Sequence, residues 1–346
     1  MTVPLCLADF EAMAHEVLPH PTFEFLAGGA ADEVTLRWNR EAFDRIRLRP
    51  HVLQDVSRID TSVTLFGDLV PFPILLAPVA YQRLIHPDGE LAAARGAAKA
   101  EAIYVVSTAA SCSIEEIAAA ADCRLWLQIY LQSDRGVTRD LVTRAEHAGV
   151  RALCLTVDTP VLGARNRQAR AGFALPPALP TPHLDAVGRD RLSVVSAKRE
   201  AITWQDLEWL RSLTRLPVIV KGILDDGDAA RAIQHGAAGI LVSNHGARNL
   251  DTVPATIDAL PAIADRVAGQ VPILLDGGIR RGTDLVKAIA LGAAAVLIGR
   301  PYAWALAASG EDGVARAVGI LREELETAMA LLGRASLAAI DHSVLW

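Results

Sequence analysis

A histidine and an arginine stand three residues apart in the run Ser243-Asn244-His245-Gly246-Ala247-Arg248. A neutral imidazole accepts a proton near pH 7, and a neighbouring carboxylate can orient its ring. Asp158 is the natural partner for His245, while Arg248 and Arg165 can hold a carboxylate through planar, bidentate hydrogen bonding. A second group lies further on. Asp276-Gly277-Gly278-Ile279-Arg280 and Gly299-Arg300 combine glycines, whose backbone N–H groups are uncovered, with guanidinium groups. That combination suits a phosphate. Taken singly, a His-x-x-Arg is often a surface loop and an Asp-Gly-Gly often a plain turn, so their weight depends on where the chain places them.

The elements that must do the placing repeat. An amphipathic helix ends at a glycine and a short apolar strand follows, as in LVTRAEHAG–VRALCLTVD, DAARAIQHG–AAGILVSN and DLVKAIALG–AAAVLIGR. Gly149, Gly236 and Gly292 are the expected C-caps, since glycine adopts the left-handed conformation at little cost. The strands are apolar nearly throughout, the pattern of parallel strands buried on both faces. Eight are expected: Pro73–Pro78, Ile103–Thr108, Arg124–Tyr130, Arg151–Asp158, Leu216–Lys221, Gly239–Asn244, Pro272–Asp276 and Ala295–Gly299. One intervening helix is expected to start near Pro87, and another at the capping box Ser113-Ile-Glu-Glu116. Eight strand–helix alternations predict an α/β protein of the (β/α)8 TIM barrel type. An open doubly wound sheet is the alternative, weakened because no G-x-G-x-x-G follows the first strand. Such barrels place chemistry at the C-terminal strand ends. There the chain repeatedly puts polar groups: Ser107, Gln128 and Tyr130, Thr156 and Asp158, Lys221, Ser243 to His245, Asp276, and Arg300.

Two regions lie outside the repeat. Residues 1–65 read as helices with an irregular lead-in, and 66–346 as the barrel of one domain. Residues 171–200 form a long Pro-rich excursion after strand four, which reads as a lid. Apolar residues are 51% of the 346, enough for a large core, and the net charge of −6 without a long basic block argues against nucleic acid. The stretch Leu69–Ala80 is too short to span a membrane and holds three prolines. MTVPLCLADF lacks the pattern of a signal peptide, and Val344-Leu345-Trp346 is not a Ser-Lys-Leu address, so a cytoplasmic setting is expected. Cys6, Cys112, Cys123 and Cys154 form no C-x-x-C pair and read as reduced thiols; no metal-ligand cluster is expected.

The motifs SNHGARNLD, DGGIRRGTD, ALGAAAVLIGRP and Lys221-Gly222 resemble the FMN-dependent 2-hydroxy-acid oxidases and dehydrogenases, a family that includes glycolate oxidase, lactate oxidase and mandelate dehydrogenase. The resemblance continues through LTVDTPVLGARNR, LQIY, APVAYQRLIHPDGE and FLAGGAADEVTL and covers nearly the whole chain. FLAGGA and APVAYQRL are most similar to the p-hydroxymandelate oxidases. The resemblance implies FMN, a small 2-hydroxy acid as substrate, dioxygen or another electron acceptor, and a homo-oligomer, a tetramer as relatives commonly are. By the same resemblance His245 is the base, Asp158 stabilises its imidazolium, Arg165 and Arg248 bind the substrate carboxylate, and Tyr130 hydrogen-bonds the reacting oxygen. Lys221 lies at the flavin N1 and C2 carbonyl, where a cation favours the reduced anionic flavin. Pro78, Val79, Ala80, Ser107, Gln128, Thr156 and Ser243 touch the isoalloxazine or ribityl chain. Asp276, Gly277, Gly278, Arg280, Gly299 and Arg300 hold the ribityl chain and phosphate.

Two departures bear on the substrate. Phe25 occupies the place of a family tyrosine that helps to hold the carboxylate, so one hydrogen bond worth roughly 0.5–1.5 kcal/mol is absent and an aromatic wall takes its place. Ala164 replaces the first arginine of the usual Gly-Arg-Arg, and the carboxylate role falls to Arg165. Ala109 is small where some relatives carry tryptophan, and together with Leu162 and Tyr81 it either shapes the acyl pocket or simply packs. These features imply oxidation of an (S)-2-hydroxy acid of the mandelate or 4-hydroxymandelate type. Lactate or glycolate is the alternative. An FMN-dependent isomerase would not need the paired arginines Arg165 and Arg248, and a non-catalytic flavin protein would not need the intact set His245, Asp158, Lys221 and Arg248. A flavin-free phosphate-binding barrel would be colourless and gain no flavin on reconstitution.

Overall fold

The apolar runs fold as eight short parallel strands. In the computed structural model, which describes residues 3–184 and 202–346, two antiparallel strands come first, β1 (Val63–Leu65) and β2 (Asp68–Val70). The barrel strands are β3 (Ile74–Leu76), β4 (Ile103–Val106), β5 (Arg124–Ile129), β6 (Leu153–Thr156), β7 (Val218–Ile223), β8 (Gly239–Val242), β9 (Ile273–Leu275) and β10 (Ala295–Ile298). They close in the order β10-β3-β4-β5-β6-β7-β8-β9, the (β/α)8 barrel the pattern implies. Most are shorter than their apolar runs because the ladder stops where the backbone turns into a loop. β7 differs: it runs two residues past Lys221, so that lysine lies inside the strand rather than at its end, and its side chain is buried. The three glycines after helices take positive φ, +80° at Gly149, +83° at Gly236 and +106° at Gly292. The Ser113 capping box forms, whereas the helix expected near Pro87 begins only at Glu90.

The N-terminal extension contains α1 (Leu7–Val17), α2 (His20–Ala27) and α3 (Val34–Arg45). Helix α1 packs along the C-terminal helical segment Arg300–Leu332, which is broken into two helices at Ser309 and Gly310. The irregular lead-in expected up to residue 65 runs from 46 to 62, and the three residues after it are the first strand of the β1–β2 hairpin, whose Leu65 and Val70 join Trp126, Ile219 and Leu241 in the barrel interior. Of the expected lid, residues 185–200 lie outside the described residues. Its first part is ordered against the barrel mouth: Phe173, Leu175, Leu179 and Leu184 pack with Phe25, Tyr81 and Ala109. No helix among the described residues is long and apolar enough to cross a membrane.

Candidate active site

The C-terminal mouth of the barrel holds a deep cleft. It is lined from every side by the predicted strand-end residues, among them Pro78 to Ala80, Ser107, Gln128, Tyr130, Thr156, Lys221, His245, Asp276 to Gly278, and Gly299. Phe25, contributed by α2, and four arginines, Arg165, Arg248, Arg280 and Arg300, complete the wall. Two predicted residues stand behind it. Asp158 lies beyond His245, and Ser243, expected to touch the cofactor, is fully buried and does not line the cleft. Ser243 Oγ instead accepts from Lys221 Nζ at 2.9 Å and from the His245 N–H at 3.1 Å.

His245 sits on a sharp turn just past β8 with φ +58°, and Ala247 follows at +61°. Two non-glycine residues in the left-handed region mark a backbone held in place by its surroundings, a feature that clusters at functional sites. His245 Nδ1 lies 3.0 Å from Asp158 Oδ1, which sets Nδ1–H as donor and leaves Nε2 as the bare nitrogen. Nε2 faces the Tyr130 hydroxyl at 3.3 Å. Burial and then the nearby Lys221 hold the imidazole below its usual range, while Asp158 opposes them, so at neutral pH the ring is a neutral base. Burial would raise the Asp158 carboxyl, but His245 and Lys221 outweigh it and bring it down to about 2. Burial pushes Tyr130 up to about 12, so it remains a hydrogen-bond donor.

Sequence reasoning missed the groups that fix this pair. Thr159 Oγ1 donates to Asp158 Oδ1 at 3.0 Å, and Asn249 Nδ2 donates to the Asp158 carbonyl at 2.9 Å and to Thr159 Oγ1 at 2.7 Å. Thr159 is next to Asp158 and Asn249 next to Arg248, but adjacency alone gives no sign of these bonds. Gly222, at φ +109°, is needed for the same close packing: a Cβ there would lie 2.6 Å from Asp158 Cβ.

Lys221 is buried beside Asp276 at 3.4 Å. Burial alone would lower its pKa, but Asp276 and Asp158 overcome this and keep the ammonium charged. On the far wall, Gln128 Nε2 donates to Thr156 Oγ1 at 3.0 Å, and its Oε1 accepts from the Thr108 N–H at 3.1 Å. The Gln128 amide is thereby locked in one orientation.

Among the described residues, none of the four cleft arginines pairs with a carboxylate. Burial and mutual repulsion depress them: Arg280 to about 9, Arg300 to about 10, and Arg248 well below its usual value. Arg248 and Arg300 rest on carbonyls at the end of α2, Arg248 Nη1 on Phe25 O (2.8 Å) and Gly28 O (2.9 Å), Arg300 Nη2 on Gly28 O (2.8 Å). Buried cations without counter-charge call for anions. Asp276 Oδ1 is buried without a hydrogen-bond partner, which calls for a donor such as a sugar hydroxyl. A polyhydroxylated phosphate ester meets both demands, so the residues present fit FMN with a carboxylate-bearing molecule beside it.

The family model described as FMN-dependent dehydrogenase matches residues 14–346. The chain is 47% identical to an L-lactate oxidase of Nostoc sp., over 99% of this chain and 98% of that protein. It is also 47% identical to glycolate oxidase 1 of Oryza sativa subsp. indica, over 97% and 94%. Among solved structures, a mandelate oxidase superimposes with a TM-score of 0.93 at 45% identity, covering 99% of this chain and 98% of that one. A mandelate oxidase with (S)-2-phenylpropionate gives 0.91 at 44% identity, with the same coverage.

Proposed function

Because the chain belongs to the FMN-dependent dehydrogenase family and oxidises a 2-hydroxy acid, we propose that its substrate is an (S)-2-hydroxy acid of the mandelate or 4-hydroxymandelate type. The observation that carries this reading is the apolar wall beside the paired arginines. Phe25, Tyr81, Ala109 and Leu162 line the cleft next to Arg165 and Arg248. Phe25 and Tyr81 rings lie 6.4 Å apart, and Ala109 leaves room between wall and base. An aryl group finds dispersion and edge contacts there that a methyl or hydrogen would forgo.

In this reading Arg165 and Arg248 bind the substrate carboxylate and fix the reacting carbon near His245. His245 Nε2 receives a proton from the substrate, and Asp158, already ionised and bonded to Nδ1–H, stabilises the resulting imidazolium. The Tyr130 hydroxyl holds the reacting oxygen. When bound, FMN would supply the two-electron oxidant that this conversion of a hydroxy acid to a 2-oxo acid requires, with dioxygen or another acceptor as the final oxidant. Lys221, positioned by Asp276 and Ser243, places a fixed cation where negative charge develops during reduction. Gly277, Gly278, Arg280, Gly299 and Arg300 would hold the phosphate, Asp276 the ribityl chain, and Pro78, Val79, Ala80, Ser107, Gln128 and Thr156 the ring system.

The named oxidases of lactate and glycolate favour the second reading, a small aliphatic acid. Anaerobic mixing with L-mandelate, L-lactate and glycolate, followed at the flavin band, separates the two. Faster bleaching by mandelate is expected; preferential bleaching by lactate or glycolate would discard the aryl assignment while keeping the family. We further propose a homo-oligomer, supported by exposed Val52, Leu53, Leu331 and Trp346 on neighbouring segments. Light scattering on the purified protein measures its mass.

A further inference from the structure

Arg248 is held by α2 in two ways. Its Nη1 donates to the Phe25 carbonyl, and its guanidinium carbon lies 5.3 Å from the centroid of the Phe25 ring. That ring has a second partner. Phe173, three residues beyond the short helix Asn166–Arg170, stacks on Phe25 with centroids 4.4 Å apart and planes 10° from parallel. Phe173 does not line the cleft. It belongs to a separate apolar cluster with Leu175, Leu179 and Leu184, which joins the chain after β6 to the cleft wall.

We propose that Phe173 is a positioning residue for the substrate carboxylate: by stacking on Phe25 it fixes the ring that carries Arg248, and so ties the hold on the carboxylate to the docking of the segment around residues 173–184. This rests on the proposed role of Arg248 in binding that carboxylate. The physical reason is the small number of constraints on Arg248. Its guanidinium is buried and has no acidic partner among the described residues, so carbonyl oxygens and one aromatic face determine its direction. A phenylalanine carries no hydroxyl to anchor its ring, so packing alone sets the ring plane. Of the aromatic partners of Phe25, Tyr81 is tilted by 47° at 6.4 Å, whereas Phe173 is nearly parallel and close. A ring free to turn would present its edge to the guanidinium, where the quadrupole repels a cation rather than attracting it.

The test uses FMN-loaded enzyme titrated with oxalate, which carries carboxylates but no aryl group, followed by the change in flavin absorbance. Phe173→Ala and Phe173→Leu are expected to weaken oxalate binding about tenfold, the scale of one desolvated cation–π contact. Phe173→Tyr, which keeps the flat face, should restore affinity to within about twofold. The rate of flavin reduction at saturating substrate should change less than about threefold, so the loss falls on KM. In a Phe25→Ala background, Phe173→Ala should have almost no further effect, because both changes remove one coupled unit. Full affinity in Phe173→Leu, or an equal loss in both backgrounds, would overturn the proposal and leave the function intact. Should Phe173→Ala fail to fold, the Leu and Tyr variants carry the same comparison. Wild-type enzyme that bleaches with a 2-hydroxy acid yet ignores oxalate would overturn the carboxylate role of Arg248, and this proposal with it.

Discussion

At the N-terminal end of the barrel the β1–β2 hairpin drives Leu65 and Val70 into the strand interior, and the Phe66 ring meets Trp126 edge-on at 5.4 Å. The fit is tight enough that Gly239, the first residue of β8, must lack a side chain: a Cβ there would lie 2.7 Å from the Phe66 ring. At the C-terminal end the same strands meet Lys221, Asp158, His245 and four arginines without acidic partners among the described residues. One end satisfies itself. The other leaves Asp276 Oδ1 and Asp158 Oδ2 without a hydrogen-bond partner, and among the described residues its four guanidinium groups rest on carbonyls with no carboxylate. Stability and chemistry are thus divided along one set of strands a few residues long.

The largest expected effect tests the chemical end. His245→Asn should slow flavin reduction by about 10³-fold, within the range for loss of a general base, with FMN still bound and the fold unchanged. Anaerobic stopped-flow at the flavin band reads it; near-normal reduction would remove His245 from its role. Trp126→Ala tests the other end. Its buried ring leaves a cavity, so stability should fall by about 3–5 kcal/mol in denaturant melts. The reduction rate of the protein that remains folded should stay within about twofold, since the Trp126 ring packs on Phe66 and does not line the cleft. A rate loss matching the stability loss would show that the ends are coupled.

The Asp158–His245 pair gives an intermediate effect with a direction in pH. Nε2 must be unprotonated to act, so kcat/KM rises with pH through the His245 pKa and then levels. Burial and Lys221 place that rise below the ordinary histidine value of 6.5. Tyr130, up at about 12, adds no alkaline loss near neutrality. Asp158→Asn removes the group that raises the His245 pKa and stabilises its charged form. The acid limb should move to still lower pH, and the plateau should drop by about 10- to 100-fold. A limb above 6.5 in the wild-type protein would contradict the burial argument. The carboxylate also contributes stability that is present above the ordinary aspartate value of 3.8 and lost as pH falls toward about 2.

The chemical end was far more legible in the sequence than the structural end, for a physical reason. A buried parallel strand must be apolar throughout and must end in polar groups where the cleft opens, so β3 to β10 and nearly the whole cleft lining could be read in order. The hairpin could not. Its strands are three residues each, and its turn is Phe66-Gly67, both at positive φ, where Asn-Gly or Asp-Gly would have been the signal. Ser243 misled because strand-end position does not say whether a side chain reaches the cleft or turns to a neighbouring lysine. Thr159, Asn249 and Phe173 were missed because each acts through a spatial partner. Phe173 lies in a segment without periodicity, and only its stack on Phe25 reveals it.

Phe25→Tyr probes the smallest step, the border between the apolar wall and the charged groups. The added hydroxyl would sit at the edge of a ring already flanked by Arg248 and Phe173. If it reaches the carboxylate, it supplies one hydrogen bond worth about 0.5–1.5 kcal/mol, so KM should fall by about two- to tenfold. A small acid such as lactate has little else to hold it, so it should gain the full amount. An aryl acid, already packed on the wall, should gain less, because the polar group must be accommodated against its ring. The ratio of kcat/KM for lactate to that for mandelate should therefore rise several-fold. A ratio that stays constant would mean that Phe25 contributes to the carboxylate end alone, and that discrimination between acyl groups lies with Tyr81, Ala109 and Leu162.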